Sequence, residues 1–235
     1  MIAASPILNA YFQSDAFGKL IFLALFSLSI TSWIIFIHKI WLARKLNYLN
    51  SNFSNLVKSN IDNLLNINTN SDISYPYNDI YNSLKEKAFE ILNKNRFFVD
   101  ERQKVYMSGA DVELIDSHLE AEISKQIKQL EKNLFILPTV VTLGPFLGLL
   151  GTVWGILITF NTLQSHSILN GNTSILSGLS MALATTIVGL IVAIPALVAH
   201  NYLRNWIKNY RSEMEHFSQY LISSLEIQYR NVDIK

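Results

Sequence analysis

The chain has 235 residues, half of them hydrophobic and only 16% charged, a balance too apolar for an ordinary soluble domain of this length. Part of its solvent is therefore lipid. The net charge of +1 averages very uneven regions and points to no nucleic-acid partner, and the absence of cysteine excludes a disulfide framework and a thiolate metal site.

A short arm, residues 1–19, precedes the first apolar block, Leu20 to Ile37, which is flanked by Lys19 and by the cluster His38, Lys39, Arg44 and Lys45. The block has the length of a membrane span. It is longer than the apolar core of a secretory signal and lacks a basic region before it, so it reads as a retained transmembrane helix over 20–38. Residues 39–137 carry most of the charge. Their Asn-rich run from Asn47 to Asn78, with Tyr75-Pro76-Tyr77 near its end expected to break any helix, reads as a loop or hinge between helices. From Ala110 to Leu134 the residues Ile115, Leu119, Ile123, Ile127, Leu130 and Leu134 recur every three or four positions among Glu and Lys, the pattern of an amphipathic helix. It leads almost directly into the next apolar segment, so one long helix is expected, bent or interrupted near Pro138 and Pro145.

Between Lys132 and Arg204 there is no Asp, Glu, Lys or Arg across 71 residues. A bilayer core about 30 Å thick needs roughly 20 helical residues, so this stretch holds two spans, placed at 138–161 and 175–199, joined by a short uncharged connection at 162–174. After them Leu203, Trp206, Ile207, Tyr210, Met214, Phe217, Leu221 and Leu225 continue a helical rhythm through 200–235. The expected fold is an all-α integral membrane protein with three transmembrane helices and long cytoplasmic helical extensions. Of the 19 basic residues, one precedes the first span, thirteen lie from Lys39 to Lys132, none lies between the second and third spans and five follow the third. The positive-inside rule then puts the N-terminal arm outside and both 39–137 and the C-terminal tail in the cytoplasm.

In the second span Gly144, Gly148, Gly151, Thr152, Gly155 and Thr159 fall within an arc of about 100° at 100° per residue. In the third, Gly178, Ala182, Thr186, Gly189, Ala193 and Ala196 fall within about 80°. Two faces of small residues invite close packing in lipid, where association relies on contact and not on the hydrophobic effect. They pack the two spans together, or they also line an interior shared by several copies. Pro145 and Pro195 mark expected helix bends. A proton relay in a membrane calls for Asp, Glu or His facing the bundle interior, and no span has an acid or base in its middle. His38 and His200 sit at the cytoplasmic ends of spans, His166 in the outer connection, and His118 and His216 are isolated, so no metal site and no cofactor are expected. No phosphate-binding loop, nucleophile elbow or catalytic set is present, and the chain does not read as an enzyme.

The run Pro145-Phe146-Leu147-Gly148-Leu149-Leu150-Gly151-Thr152-Val153-Trp154-Gly155-Ile156 resembles the second-span signature of the TolQ, ExbB and MotA superfamily of ion-motive-force channel subunits. Gly178-Leu179, Ala182-Leu183, Thr186, Gly189-Leu190, Ala193-Ile194-Pro195-Ala196 and Asn201 resemble its third-span pattern, and Ser29-Ile30-Thr31-Ser32-Trp33 is similar to TolQ in particular. The resemblance implies a homopentamer of three-span subunits in the bacterial inner membrane, embedded in lipid. Such a ring encloses a TolR-like or ExbD-like single-span protein with a membrane Asp and drives a TolA-like or TonB-like periplasm-spanning partner. It also implies that Thr152 and Thr186 lie on the ion pathway. At Met181, five residues before Thr186, similar proteins generally carry Glu. With that acid missing, the carboxylate of any proton relay is expected from another chain. A TolQ-like role in envelope maintenance is the first expectation, an ExbB-like role in TonB-dependent uptake the second, and a non-conducting membrane scaffold the rival.

Overall fold

The computed structural model describes residues 6–67, 75–96, 105–164 and 171–229. They form six α-helices: α1 (Pro6–Gln13), α2 (Ala16–Ser59), α3 (Pro76–Arg96), α4 (Gly109–Glu131), α5 (Ile136–Gln164) and α6 (Gly171–Tyr229), with a single 3₁₀ segment at Ile61–Asn66. No strand occurs among the described residues. Segments of α2, α5 and α6 are each long and apolar enough to cross a membrane, as the three apolar blocks predict. The chain divides into two compact units, one of residues 1–39 and 133–203 and the other of residues 40–132 and 204–235.

The first unit is a hairpin of α5 and α6 with α1 and the start of α2 packed on it. Val140, Val192 and Ala196 form one buried cluster, against which Leu28 of α2 packs. Ala10, Phe22, Met181 and Ala184 form another, joined by Ile7, Tyr11, Trp154 and Val188. Large apolar side chains such as Phe26, Ile34, Phe146, Val153, Leu183 and Ile194 remain exposed. For a span that is the expected arrangement, since lipid is as good a solvent for Leu as another helix is.

The second unit is built like a water-soluble bundle. The amphipathic pattern read between Ala110 and Leu134 is borne out, because Ile115, Leu119, Ile123, Ile127 and Leu130 all turn inward from α4. Leu203, at the end of the first unit's share of α6, is buried too, and farther along α6 Ile207, Tyr210, Met214, Phe217, Leu221 and Leu225 turn into the second unit's core. The start of α4 is fixed by a capping box in which the Ser108 hydroxyl accepts from the Asp111 amide and the Asp111 carboxylate accepts from the Ser108 amide. This satisfies two of the donors that a helix start leaves open. Aromatic rings fill the centre: Tyr77 stacks on Phe217 at 4.3 Å, and Phe53 meets Tyr75, Tyr81 and Phe217 edge-on. The Tyr81 hydroxyl donates to the Leu64 carbonyl at 2.6 Å, and burial pushes this phenol up to about 12.

Two local expectations differ from the structure. Asn47 to Ser59 is not a loop; α2 runs through it. Leu46, Asn50, Phe53 and Val57, spaced by four, three and four residues, are buried there, and this packed stripe outweighs the weak helix preference of asparagine. Asn50 donates to the Tyr210 hydroxyl inside the core. Pro76 does not break a helix but opens α3, in the first turn, where its missing N–H has no partner to lose. Residues 68–74, within the same run, lie outside the described residues.

The long helix leading into the second span is interrupted, as expected, but at residues 132–135 and not at a proline. Asn133 has φ 66°, a left-handed conformation that Asn tolerates far better than a β-branched residue. Pro138 falls in the first turn of α5, where it costs no hydrogen bond, and Pro145 and Pro195 sit inside helices that continue through them. Asn133→Val is expected to destabilise the protein by about 1–2 kcal/mol while Asn133→Gly is tolerated, as read from thermal unfolding in detergent.

Candidate functional site

The α5–α6 hairpin is zipped by glycine. A Cβ built on Gly144 would stand 3.0 Å from the Gly189 carbonyl oxygen, one on Gly148 3.0 Å from the Thr185 carbonyl oxygen, and one on Gly155 2.6 Å from the Gly178 carbonyl oxygen. From the other side, a Cβ on Gly189 would stand 2.6 Å from the Gly144 carbonyl oxygen and one on Gly178 2.5 Å from the Thr159 hydroxyl. Ala182 and Ala193 complete the seam against Gly155 and Gly144. The small residues singled out in the sequence therefore meet one another within one chain, backbone against backbone.

The polar group at the centre of this seam is Thr185, which the sequence reading passed over in favour of its neighbour. Thr185 is fully buried and occupies the space that a side chain on Gly151 would need. Its hydroxyl has the carbonyls of Ala182 at 3.0 Å, Met181 at 3.1 Å and Gly148 at 3.4 Å as acceptors. The signal was present in the sequence, since Thr185 is one position from Thr186 and in line with Gly178, Ala182, Gly189 and Ala196.

Thr152 and Thr186 stand at the margin of the seam. The Thr152 hydroxyl donates to the Leu149 carbonyl at 2.6 Å and that of Thr186 to the Ala182 carbonyl at 3.1 Å, the bond a threonine in a membrane helix usually makes. Thr152 lies about 160° around α5 from Trp154, and Thr186 about 140° around α6 from Met181. Because Trp154 and Met181 face the α1–α2 side, both threonines fall toward the opposite flank of the hairpin.

Met181 is 2% exposed and packed with Ala10, Phe22 and Ala184. Its side chain fills the space beside Gly18, where an added Cβ would stand 2.7 Å from the Met181 Sδ and 3.0 Å from Asp15 Oδ1. Asp15 is the feature that the sequence reading missed. It caps α2, accepting at Oδ1 from the Gly18 amide at 3.0 Å, and accepts at Oδ2 from the Trp154 indole at 2.9 Å. This chain thus brings one carboxylate of its own to α5, as a helix cap bonded to an indole.

The remaining histidines are scattered. His38, His118 and His216 are exposed and His200 is half-buried; His166 lies outside the described residues. Among the described residues no group of His, Cys, Asp and Glu is placed to hold a metal ion. In the second unit Asp79, Glu86, His118, Glu122 and Lys125 line an open polar groove, in which the Gln126 amide donates to Asp79 at 3.0 Å and to Glu122 at 2.8 Å.

Comparison with known proteins places this hairpin in context. A model of the MotA/TolQ/ExbB proton channel family matches residues 89–216, more than half of the chain. The chain belongs to this family. Biopolymer transport protein ExbB of Aquifex aeolicus is 47% identical over 76 residues, 32% of this chain and 51% of that protein. Biopolymer transport protein ExbB of Helicobacter pylori is 39% identical over 107 residues, 46% of this chain and 69% of that protein. The Tol-Pal system protein TolQ of Pseudomonas aeruginosa is 39% identical over 82 residues, 34% of each chain. The match spans about half the length of the Aquifex protein. Family membership accounts for the membrane-spanning helices, and the family is one of channel subunits and not of enzymes.

Two outcomes follow from the seam. Gly148→Leu or Gly189→Leu is expected to push α5 and α6 apart and sharply lower the thermal unfolding midpoint in detergent, whereas Gly109→Ala, which meets nothing within 4 Å, is expected to leave it unchanged. Met181→Glu places a second carboxylate in an apolar pocket beside Asp15, a cost of several kcal/mol, and is expected to lower the unfolding midpoint in the same measurement.

Proposed function

We propose that this chain is the channel-forming subunit of a proton-motive-force-driven motor in the bacterial inner membrane, in a TolQ-like role that energises a periplasm-spanning partner for envelope maintenance. The observation that carries the reading is the pair of hydroxyls, Thr152 and Thr186, toward one flank of a glycine-zipped hairpin in a chain of the proton channel family. That flank is otherwise apolar, with Leu149, Ile156, Leu183 and Leu190 exposed along it. Identical chains arranged as a pentamer would turn these flanks inward around a TolR-like or ExbD-like single-span helix, whose membrane Asp would pass along the threonines. The small residues set the spacing of each subunit's hairpin behind that lining.

The charge distribution supports an external N-terminus and a cytoplasmic C-terminus, with spans at 20–38, 138–161 and 175–199 and cytoplasmic segments at 39–137 and 200–235. The TolQ-like role rests on the short arm and on Ser32-Trp33. An ExbB-like role, with a TonB-like partner, is the second reading, favoured by the identity to ExbB proteins. A scaffold that holds a partner helix without moving ions is the third, favoured by the apolar packing of Met181.

Thr152→Val and Thr186→Val keep the shape of the side chain and remove the hydroxyl. Each is expected to leave the oligomer intact in native mass spectrometry and to abolish proton-motive-force-dependent resistance of the envelope to detergent. Full resistance in both variants would return the hydroxyls to a purely structural role and favour the scaffold.

A further inference from the structure

The flank that bears Thr152 and Thr186 has a further polar place nearer the start of α5. Thr142 is exposed and stands seven residues before Leu149 and fourteen before Ile156, within about 40° of both around the helix. It therefore continues the line of exposed residues on that flank. Along α5 it is ten residues, about 15 Å, from Thr152.

Pro145 lies inside α5 and has no N–H, so the Val141 carbonyl, which points along the axis toward it, loses its helix donor. Around α5 Pro145 falls between Thr152 and Leu149, and the freed oxygen opens toward the same flank. The neighbouring hydroxyls do not serve it. Thr139 donates to the Phe135 carbonyl at 2.9 Å, and Thr142 has the Thr139 carbonyl at 2.9 Å and the Pro138 carbonyl at 3.2 Å as acceptors. In lipid such a carbonyl is costly, and a span tolerates it where water or another polar group reaches it. Pro195 frees the Ile191 carbonyl of α6 in the same way, but Pro195 lines a crevice with Ser32, Trp33 and Phe36 of α2, away from this flank.

The direction of the hydroxyl bonds gives the place its chemistry. Thr142, Thr152 and Thr186 all give their protons to carbonyls of their own helices, which leaves oxygen lone pairs outward. Together with the Val141 carbonyl these groups offer acceptors and no donor, a lining that suits water carrying a proton and repels an anion. We propose that Thr142 and the Val141 carbonyl form a further polar step of the ion pathway, holding the water that carries a proton between the cytoplasmic end of α5 and Thr152. The proposal rests on the proton-channel reading above.

The test is proton uptake by the complex purified from its native membrane and reconstituted in vesicles with a trapped pH-sensitive dye, under an imposed potential. Thr142→Val is expected to lower uptake about fivefold, the value of one net hydrogen bond along the route, with the oligomer unchanged in native mass spectrometry, and Thr142→Ser to keep the parent's uptake. Pro145→Ala returns an N–H to Val141 and is expected to raise the thermal unfolding midpoint while lowering uptake, a combination that a purely structural role would not produce. Uptake equal to the parent's in Thr142→Val and Pro145→Ala, with Thr152→Val inactive, overturns this proposal and leaves the channel reading standing. Uptake by the parent complex no faster than in empty vesicles overturns both. Should Thr142→Val fail to assemble, thiol labelling decides, since the chain has no cysteine of its own. A membrane-impermeant thiol reagent on the cytoplasmic side is expected to modify Thr142→Cys much faster than Leu143→Cys, which turns about 100° away on α5, and equal rates overturn the proposal.

Discussion

Everything in the spanning unit depends on the distance between two backbones. Where Gly144 and Gly155 meet the carbonyls of Gly189 and Gly178, α5 and α6 approach more closely than side chains allow elsewhere. In lipid no solvent penalty drives two apolar helices together, so contact area and the dispersion energy of closely packed atoms must do so. The close approach buries Thr185 between the helices, leaves Thr152 and Thr186 at the seam's margin, and fixes Trp154 and Met181 on the side that receives α1 and α2. A single large side chain in the seam would therefore disturb both threonines and the Asp15 contacts together.

The second unit obeys a different solvent. Its helices hide one stripe each, and its polar contacts are the ordinary ones of a soluble bundle: a capping box, a tyrosine hydroxyl on a free carbonyl, and an asparagine bonded to a buried tyrosine. The same two helices, α2 and α6, take part in both units. Along α2 the exposed surface changes from Phe, Leu and Ile to Arg, Lys and Asn, and along α6 from Leu and Ile to Arg, Lys and Glu.

Much of this was legible in the sequence because it depends on local pattern. The 71-residue neutral stretch required two spans, the three-and-four spacing from Ile115 to Leu134 gave a buried stripe, and the glycines of α5 and α6 announced close packing. The remainder depended on contacts between distant residues. Asn47 to Ser59 looked like a loop by composition, and only the partners of Asn50 and Phe53 make it helix. Thr185 and Thr186 are alike as letters and differ only in which one meets Gly151. Asp15 stands in the N-terminal arm by sequence order, and only the bond from the Trp154 indole shows that it packs on α5. The acid that the third-span pattern would place at Met181 is absent, and the acid that caps α2 borders Gly18 together with that methionine.

The bonding of Thr185 bears on how the hairpin responds to load. A hydroxyl has one proton to give, and this one has three carbonyls within reach, two on its own helix and one, that of Gly148, across the seam. A small slide of α5 along α6 changes which carbonyl is nearest but does not strand the donor. The one polar contact of Thr185 that crosses the seam is thus one that can let go without leaving a donor unpaired, more a latch than a weld.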